Sequence, residues 1–252
     1  MNRFSEDIDL TVKVIEEDSK TSNKKRLNNS AVGYQIAGLE LQKDKTERIG
    51  DKAITAFYNY DTDFEGLEVP LHKAGVIQVE STSFTISEPI EKCIVEPLIY
   101  KYATDEQKTI LKEKFNLGRF IVETLTIERI FIDKLFAIET YYRKQDYPNL
   151  AKHLYDISIL FGLDKIQKLF EDTAKFEEIL KIQKLEETIR YGGVDENIAI
   201  KDFGYFNMEF TEEIEKAFKS MQDRYIYNDE YRIDIEQVKD ALEKIKSKVA
   251  IK

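Results

Sequence analysis

Apolar residues recur every three or four positions along most of the second half of the chain. This spacing places them on one face of a helix. Three stretches show it clearly, at residues 127–142, 150–161 and 235–249. Gly162 directly follows the second stretch, and glycine commonly ends helices. The pattern therefore predicts a largely helical region from about Thr126 onward.

The first third of the chain shows strand and turn patterns instead. Residues 53–60 alternate, with Ile54, Ala56, Tyr58 and Tyr60 on one face. Further strands are predicted at 8–15, 75–86 and 120–125, and turns at 61–66 and along the polar residues 16–30. We therefore predict an α+β chain, with a mixed α/β unit over residues 1–120 and a helical unit over residues 121–252.

Composition limits the choice of partners. The chain has 42% hydrophobic residues, and its 38 basic and 48 acidic residues give a net charge of −10. Such an acidic balance disfavours a general nucleic-acid-binding protein, because affinity for phosphates depends on clustered Lys and Arg. A local basic patch is compatible with an RNA substrate. Its candidates are Lys20, Lys24, Lys25 and Arg26, although a solvated loop is the more common explanation of such a cluster.

Cysteine use and hydropathy indicate the compartment. The single cysteine, Cys93, excludes an intrachain disulfide, and with only two histidines a zinc site is disfavoured. No run of about 18 apolar residues is present, and the first residues form no hydrophobic leader. We therefore expect a cytoplasmic protein with no membrane association.

The most informative polar pattern lies near the start of the chain, where Asp7 and Asp9 flank Ile8. In a strand, the two carboxylates share one face with Ser5, and Ile8 is expected to point into the core. Neighbouring carboxylates repel each other unless a proton or a divalent cation lies between them, and Mg²⁺ prefers such oxygen ligands. The pair predicts the metal edge of a phosphoryl- or nucleotidyl-transfer site, although isolated D-x-D pairs also occur in solvated loops and calcium sites.

Three further polar residues interrupt apolar patterns. Glu80 ends the apolar run 76–79 and is placed to approach the aspartates from a neighbouring strand, although an exposed strand position is the simpler explanation. Lys134 lies beside the apolar stripe of its helix, where a lysine either extends to solvent or meets an anion. Asp156 lies among apolar neighbours, with His153 spaced to hydrogen-bond to it. Such a set suits the chemistry of nucleoside triphosphates. Two carboxylates would hold Mg²⁺, a lysine would neutralise phosphate charge, and a further carboxylate would orient or deprotonate the acceptor hydroxyl.

Three segments together resemble the AbiEii/AbiGii toxin family of nucleotidyltransferases. They are R-F-S-E-D-I-D-L at residues 3–10, E-R-I-F-I-D-K-L at 128–135 and K-H-L-Y-D-I at 152–157. The family carries an R-x-S-x-D-I-D-L strand, an R-T-F-x-E-K-L-type helix and an R-H-x-Y-D-L-type helix in the same order. Residues 221–245 also resemble the family's C-terminus, so the resemblance covers most of the chain.

The resemblance implies a DNA polymerase β-like nucleotidyltransferase core, built as a mixed sheet with helices and followed by a helical domain. It also implies Mg²⁺-dependent transfer of a nucleotide from an NTP to RNA, in characterised relatives at the acceptor end of tRNA, together with a cognate antitoxin. Catalytic roles carry over to Ser5, Asp7, Lys134 and Asp156, with Ser5 and Lys134 also binding the nucleotide. Asp7 and Asp9 are the metal carboxylates.

Glu80 is a third predicted metal ligand, added from its strand position alone. The helix motif departs mildly from the family, with Asp133 in place of the usual Glu and Ile130 where Thr is common. The family also has a Gly-Gly-[Ser/Thr]-x-Leu element before the first motif, and this sequence lacks it, which is expected to weaken phosphate binding. Two alternatives therefore stay open: a catalytically impaired or truncated member that binds an antitoxin, and a small-molecule nucleotidyltransferase.

Overall fold

The structure, a computed structural model, describes residues 3–5, 7–62, 75–190 and 192–251. Its strands are β1 (Asp7–Thr11), β2 (Glu40–Leu41), β3 (Glu47–Ile49), β4 (Ala53–Asn59), β5 (Val76–Thr82), β6 (Ile90–Val95) and β7 (Phe120–Leu125). Its α-helices are α1 (Lys20–Val32), α2 (Leu98–Lys101), α3 (Asp105–Phe115), α4 (Ile127–Lys144), α5 (Tyr147–Phe161), α6 (Asp164–Glu171), α7 (Thr173–Ile189), α8 (Glu212–Tyr225) and α9 (Ile235–Val249). Most of the predicted turn at 61–66 lies outside the described residues.

The first five strands form one mixed sheet. Its order is β1-β5-β4-β2, with β3 also paired to β4. β1 and β5 run parallel, and the other pairs are antiparallel. Helix α1 covers one face, where Leu27 and Ala31 pack on Ile54, Tyr58 and Val79. The sheet therefore has a small core of its own.

Three details of this region differ from the sequence-based expectations. The predicted strands 8–15 and 75–86 end earlier, at Thr11 and Thr82. The segment 16–30, expected to be turn-like, contains most of helix α1, which is capped by the Ser19 side chain. Only two residues of this helix are buried, so the sequence shows little apolar periodicity there. Ile8, expected in the core, is 50% exposed, because the apolar cluster on its face of the sheet includes Leu10 and Val12 but does not extend to Ile8.

A separate two-stranded ribbon connects the sheet to the helices. β6 pairs antiparallel with β7, which confirms the strand predicted at 120–125, and α2 and α3 lie between them in the chain. Helix α3 was not predicted, although Thr104 and Gln107 form a capping box at its start. The division between residues 120 and 121 stays a prediction, and it falls at the first residue of β7.

The helices from α4 onward enclose the larger core. Predicted helices at 127–142, 150–161 and 235–249 are confirmed as α4, α5 and α9, and Gly162 ends α5 as expected. α5 packs against α4, α8 and α9, and α4 also contacts α6 and α7. Phe131, Ile138 and Leu154 are fully buried there. Within the described chain, no helix is long and apolar enough to cross a membrane.

A buried polar network joins α4 to α7. Fully buried Arg129 donates from Nη2 to Glu186 Oε2 at 2.6 Å and from Nη1 to the Gln183 amide oxygen. Glu186 also accepts a hydrogen bond from Arg190 at 2.6 Å and one from the backbone N–H of Ile86, four residues after β5, at 3.1 Å. The network therefore links two helices of the larger core to the chain leaving the sheet.

Replacement of Arg129 is expected to cost far more stability than replacement of an exposed arginine. Arg129→Met leaves Glu186, which has no access to solvent, paired with Arg190 and without its second cation. Loss of such a buried hydrogen bond between charged groups costs about 1.5–3 kcal/mol. Urea unfolding measures the change. Arg232→Met, which removes the surface pairs with Asp223 and Asp229, is the matched control and is expected to change stability little. Equal losses in the two variants would contradict the account.

Candidate active site

Three carboxylates meet on one face of the sheet. Asp7 and Asp9 lie on β1, and Glu80 lies on the parallel strand β5, directly opposite Asp9 in the register. Because directly paired residues of neighbouring strands point to the same face, all three side chains converge. One oxygen of each lies within 4.8 Å of the other two. The structure thus brings together the three residues that the sequence nominated as metal ligands.

The electrostatics of this cluster reflect crowding of like charge. Partial desolvation and the charges of Asp7 and Glu80 raise the pKa of Asp9 to about 6, while Lys134 acts in the opposite direction. Partial desolvation also raises the pKa of Glu80, against a hydrogen bond from the Gln78 amide at 2.6 Å. A cation between the carboxylates would relieve this repulsion.

Ser5 lies at the edge of the cluster. Its hydroxyl donates to Asp7 Oδ1 at 3.0 Å, and the residue is exposed to solvent. This hydrogen bond places the hydroxyl at the carboxylate cluster. Ser5 therefore orients one of the predicted metal ligands and stays accessible to a bound molecule.

Lys134 and Asp156 form a buried ion pair between α4 and α5. The Lys134 Nζ lies 2.7 Å from Asp156 Oδ2, and Asp156 is completely buried. Arg3 also binds Asp156: its Nε donates to Asp156 Oδ1 and its Nη2 to Asp156 Oδ2, both at 2.8 Å. Burial acts to raise the pKa of Asp156, but the hydrogen bonds and charges of Arg3 and Lys134 outweigh it and hold that pKa below its usual value.

The catalytic role of Asp156 stays a prediction. The residue has no exposed surface, and both of its oxygens bind cations. The predicted hydrogen bond from His153 is replaced by these cations. The His153 ring stacks on Tyr141 with centroids 5.2 Å apart, and its Nδ1 has no hydrogen-bond partner among the described residues.

Two further charged residues belong to the site and were not assigned to it from the sequence. Arg3 is one of them. Its spacing of two residues from Ser5, and of four from Asp7, was a sequence signal that could have assigned it to the same face. The other is Arg190, whose Nη2 donates to Asp133 Oδ1 at 3.0 Å. The charge of Asp133, next to Lys134 in the chain, adds to the high pKa of Asp9. Nothing in the local sequence links Arg190 to the site, because Asp133 lies 57 residues away.

The proposed basic patch is only partly assembled. Lys20 and Lys24 line a cavity of about 530 Å³ beyond the carboxyl ends of β1 and β5. The same cavity contains Glu16, Asp51 and Glu88, so its charge is mixed. The other two candidates, Lys25 and Arg26, do not line it; Arg26 pairs instead with Asp18 and hydrogen-bonds to Asn23.

Clustered carboxylates near a lysine are typical of sites that bind a divalent cation and phosphate groups. The family model described as nucleotidyl transferase AbiEii toxin, type IV toxin–antitoxin system, matches residues 1–244. The chain therefore belongs to the AbiEii nucleotidyltransferase toxin family, which confirms the resemblance seen in its three motifs.

Among curated proteins, an uncharacterized protein of Bacillus anthracis is 26% identical over 132 residues. That match covers 52% of this chain and 25% of the relative, so the chain spans about a quarter of that protein's length. No solved structure matches the chain.

Removing one charge from the acidic cluster is expected to stabilise the fold at neutral pH. The raised pKa of Asp9 means that its ionisation costs the folded state more than the unfolded one, fully so above pH 6 and hardly at all below pH 4. Asp9→Asn should therefore raise the free energy of unfolding at pH 7.5 by about 1 kcal/mol, allowing for solvent screening at this exposed residue, and leave it nearly unchanged at pH 4.

Urea unfolding at both pH values, in the presence of a chelator, measures this effect. Asp44→Asn, at an aspartate outside the cluster, is the control and should change stability little at either pH. A loss of stability in Asp9→Asn at pH 7.5, or a gain of equal size at both pH values, would contradict the electrostatic description.

Proposed function

We propose that this protein is a nucleotidyltransferase toxin that transfers a nucleoside monophosphate from an NTP to the 3′ end of an RNA, with tRNA as the acceptor. The observation that carries the proposal is the convergence of Asp7, Asp9 and Glu80 near Lys134 in a chain of the AbiEii family. In this proposal the mixed sheet is a polymerase β-like nucleotidyltransferase core, and the helices from α4 onward supply the lysine.

The chemistry of the donor set fits Mg²⁺. Asp7, Asp9 and Glu80 offer hard oxygen ligands within 4.8 Å of one another, and one or two such carboxylates are the usual protein contribution to a magnesium site. These three residues would hold the ion. Bound Mg²⁺ neutralises charge on the phosphates of the NTP during transfer.

The remaining residues bind and orient the reactants. Lys134 contacts the triphosphate, and its buried ion pair with Asp156 fixes the direction of its ammonium group. Ser5 binds the nucleotide and orients Asp7. Asp156 is a positioning residue in this scheme, because it touches Lys134 and Arg3 and no open surface.

The transfer step balances without any further reactant. The 3′-hydroxyl oxygen of the acceptor forms a bond to the α-phosphorus, the bond to the bridging oxygen breaks, and pyrophosphate leaves. The hydroxyl proton is released to solvent. Pyrophosphate departs with its charge balanced in part by Lys134.

The biological setting follows from the substrate. NTPs and tRNA occur together in the cytoplasm, so the protein acts there. A modified tRNA acceptor end blocks translation, so the producing cell needs a cognate antitoxin, as the description of the family as a type IV toxin–antitoxin system supports. The partners in this proposal are therefore an NTP, an RNA acceptor and an antitoxin.

A transfer assay tests the proposal. Purified protein is incubated with Mg²⁺, total tRNA and each of the four NTPs labelled at the α-phosphate, and label in RNA is measured. We expect transfer from at least one NTP and a loss of about 1,000-fold or more in Asp7→Ala, because the proposed metal ligand is removed.

Asp44→Ala, at an aspartate outside the cluster, controls for nonspecific effects of removing a carboxylate and is expected to keep full activity. The proposal fails if the folded protein labels no RNA with any of the four nucleotides. It also fails if Asp7→Ala transfers label as fast as the unaltered protein.

A further inference from the structure

A second charged cavity lies away from the carboxylates, where the ribbon meets α2 and α3. Its volume is about 530 Å³. Its lining includes Tyr100 on α2, Lys108 and Lys112 on α3, and Glu96 and Arg119 at the ends of the two ribbon strands. Pockets of this size suit small molecules or one segment of a larger ligand.

One buried aromatic ring organises the cations of this cavity. Tyr100 is only 7% exposed, and the Nζ atoms of Lys108 and Lys112 lie 5.9 and 5.7 Å from its ring centroid. The two lysines are four residues apart on α3, so they lie on the same face of the helix. Contacts of this kind between cations and a ring face are attractive. Tyr100 therefore holds both ammonium groups at the cavity.

The charges at the cavity are not balanced by the protein. Arg119 pairs with Glu96 at 2.7 Å, and Lys108 approaches the exposed Asp105 only to 4.0 Å. Lys112 forms no ion pair within the part of the chain that the structure describes. Like charges four residues apart on a helix repel each other. A local positive surplus in a chain of net charge −10 favours an anionic ligand.

Exposed aromatic rings lie near this cavity and near the active site. Tyr102, at the end of α2 and two residues after Tyr100, is 67% exposed, and the pKa of Tyr227 is raised by desolvation and then by the neighbouring hydroxyls of Tyr231 and Tyr102. The Tyr227 ring, 43% exposed, packs on the Phe4 ring with centroids 5.2 Å apart. Phe4 adjoins Ser5, whose hydroxyl binds Asp7. Exposed rings therefore lie both close to the basic cavity, at Tyr102, and beside the carboxylate cluster, at Tyr227.

We propose that the basic cavity and the rings of Tyr102 and Tyr227 bind the single-stranded 3′ end of the RNA acceptor. Single-stranded RNA is held by cations that contact its phosphates and by aromatic rings on which its bases stack, and this surface offers both. The inference rests on the proposed function, since it concerns the acceptor of that reaction. A free NTP bound at the carboxylates needs neither these rings nor the basic cavity.

RNA binding without NTP tests the inference. The probe is a fluorescein-labelled single-stranded 12-nucleotide RNA, and anisotropy gives its Kd over a range of salt concentrations. Lys112→Glu is expected to weaken binding about tenfold and to lower the slope of log Kd against log salt by about one. Lys114→Glu, an exposed lysine of the same helix that does not line the cavity, is the matched control and should stay within about twofold of the unaltered protein.

A second variant separates stacking from charge. Tyr102→Ala is expected to weaken RNA binding by about tenfold and to leave the salt slope unchanged, because a stacked base contributes about 1–3 kcal/mol and carries no counterion release. ATP affinity, measured in parallel, should be the same in all three variants and in the unaltered protein.

The outcomes are distinct from those of the transfer assay. RNA binding that depends on Lys112, in a protein that transfers no label, would refute the proposed function and support the binding surface. The inference is wrong if the unaltered protein does not bind the RNA, or if Lys112→Glu and Lys114→Glu lose equal affinity. It is also wrong if Lys112→Glu loses affinity for ATP and keeps its affinity for RNA.

Discussion

The buried carboxylate of Asp156 is the contact on which the geometry of the site depends. A lone carboxylate in a fully buried position is strongly disfavoured, so its charge requires the two cations that bind it, Arg3 and Lys134. Those cations come from different parts of the chain, one just before β1 and the other from α4. Because both cations bind the same buried charge, the aspartates of β1 lie near Lys134. The pairing of Asp156 thus determines the geometry of the candidate site.

Polar contacts hold both ends of the β1–β5 pair against the helices. The Phe4 backbone N–H donates to the Tyr225 carbonyl at 2.9 Å before β1, and the Ile86 N–H donates to Glu186 after β5. The apolar residues of the sheet and of the helices form two separate clusters. Hydrophobic burial thus stabilises each part, while directional hydrogen bonds and ion pairs fix how the carboxylates face Lys134. Such fixed charges can act on a transition state without rearranging first.

Regular periodicity explains what the sequence could predict. Helices α4, α5 and α9 bury a full apolar face, whereas α3 buries no residue and α1 only two, so neither gave a helical signal. Glu80 was predicted as a metal ligand because its place at the end of an apolar strand can be recognised from the neighbouring residues alone. The Arg3–Asp156 pair joins residues 153 positions apart, and no local rule predicts it. The sequence therefore nominated most of the charged residues that the structure brings together at the candidate site, but the burial of Asp156 between two cations required the fold.

Hydrogen exchange of backbone amides tests most directly whether Asp156 fixes β1 in place. Asp156→Asn keeps the shape of the side chain and removes the charge that binds Arg3 and Lys134. The account predicts that the amides of Phe4 and of β1 exchange about tenfold faster or more, while those of α9 keep their protection, because the loss is local. Unchanged exchange at Phe4 and β1, or an equal increase over the whole chain, would contradict it.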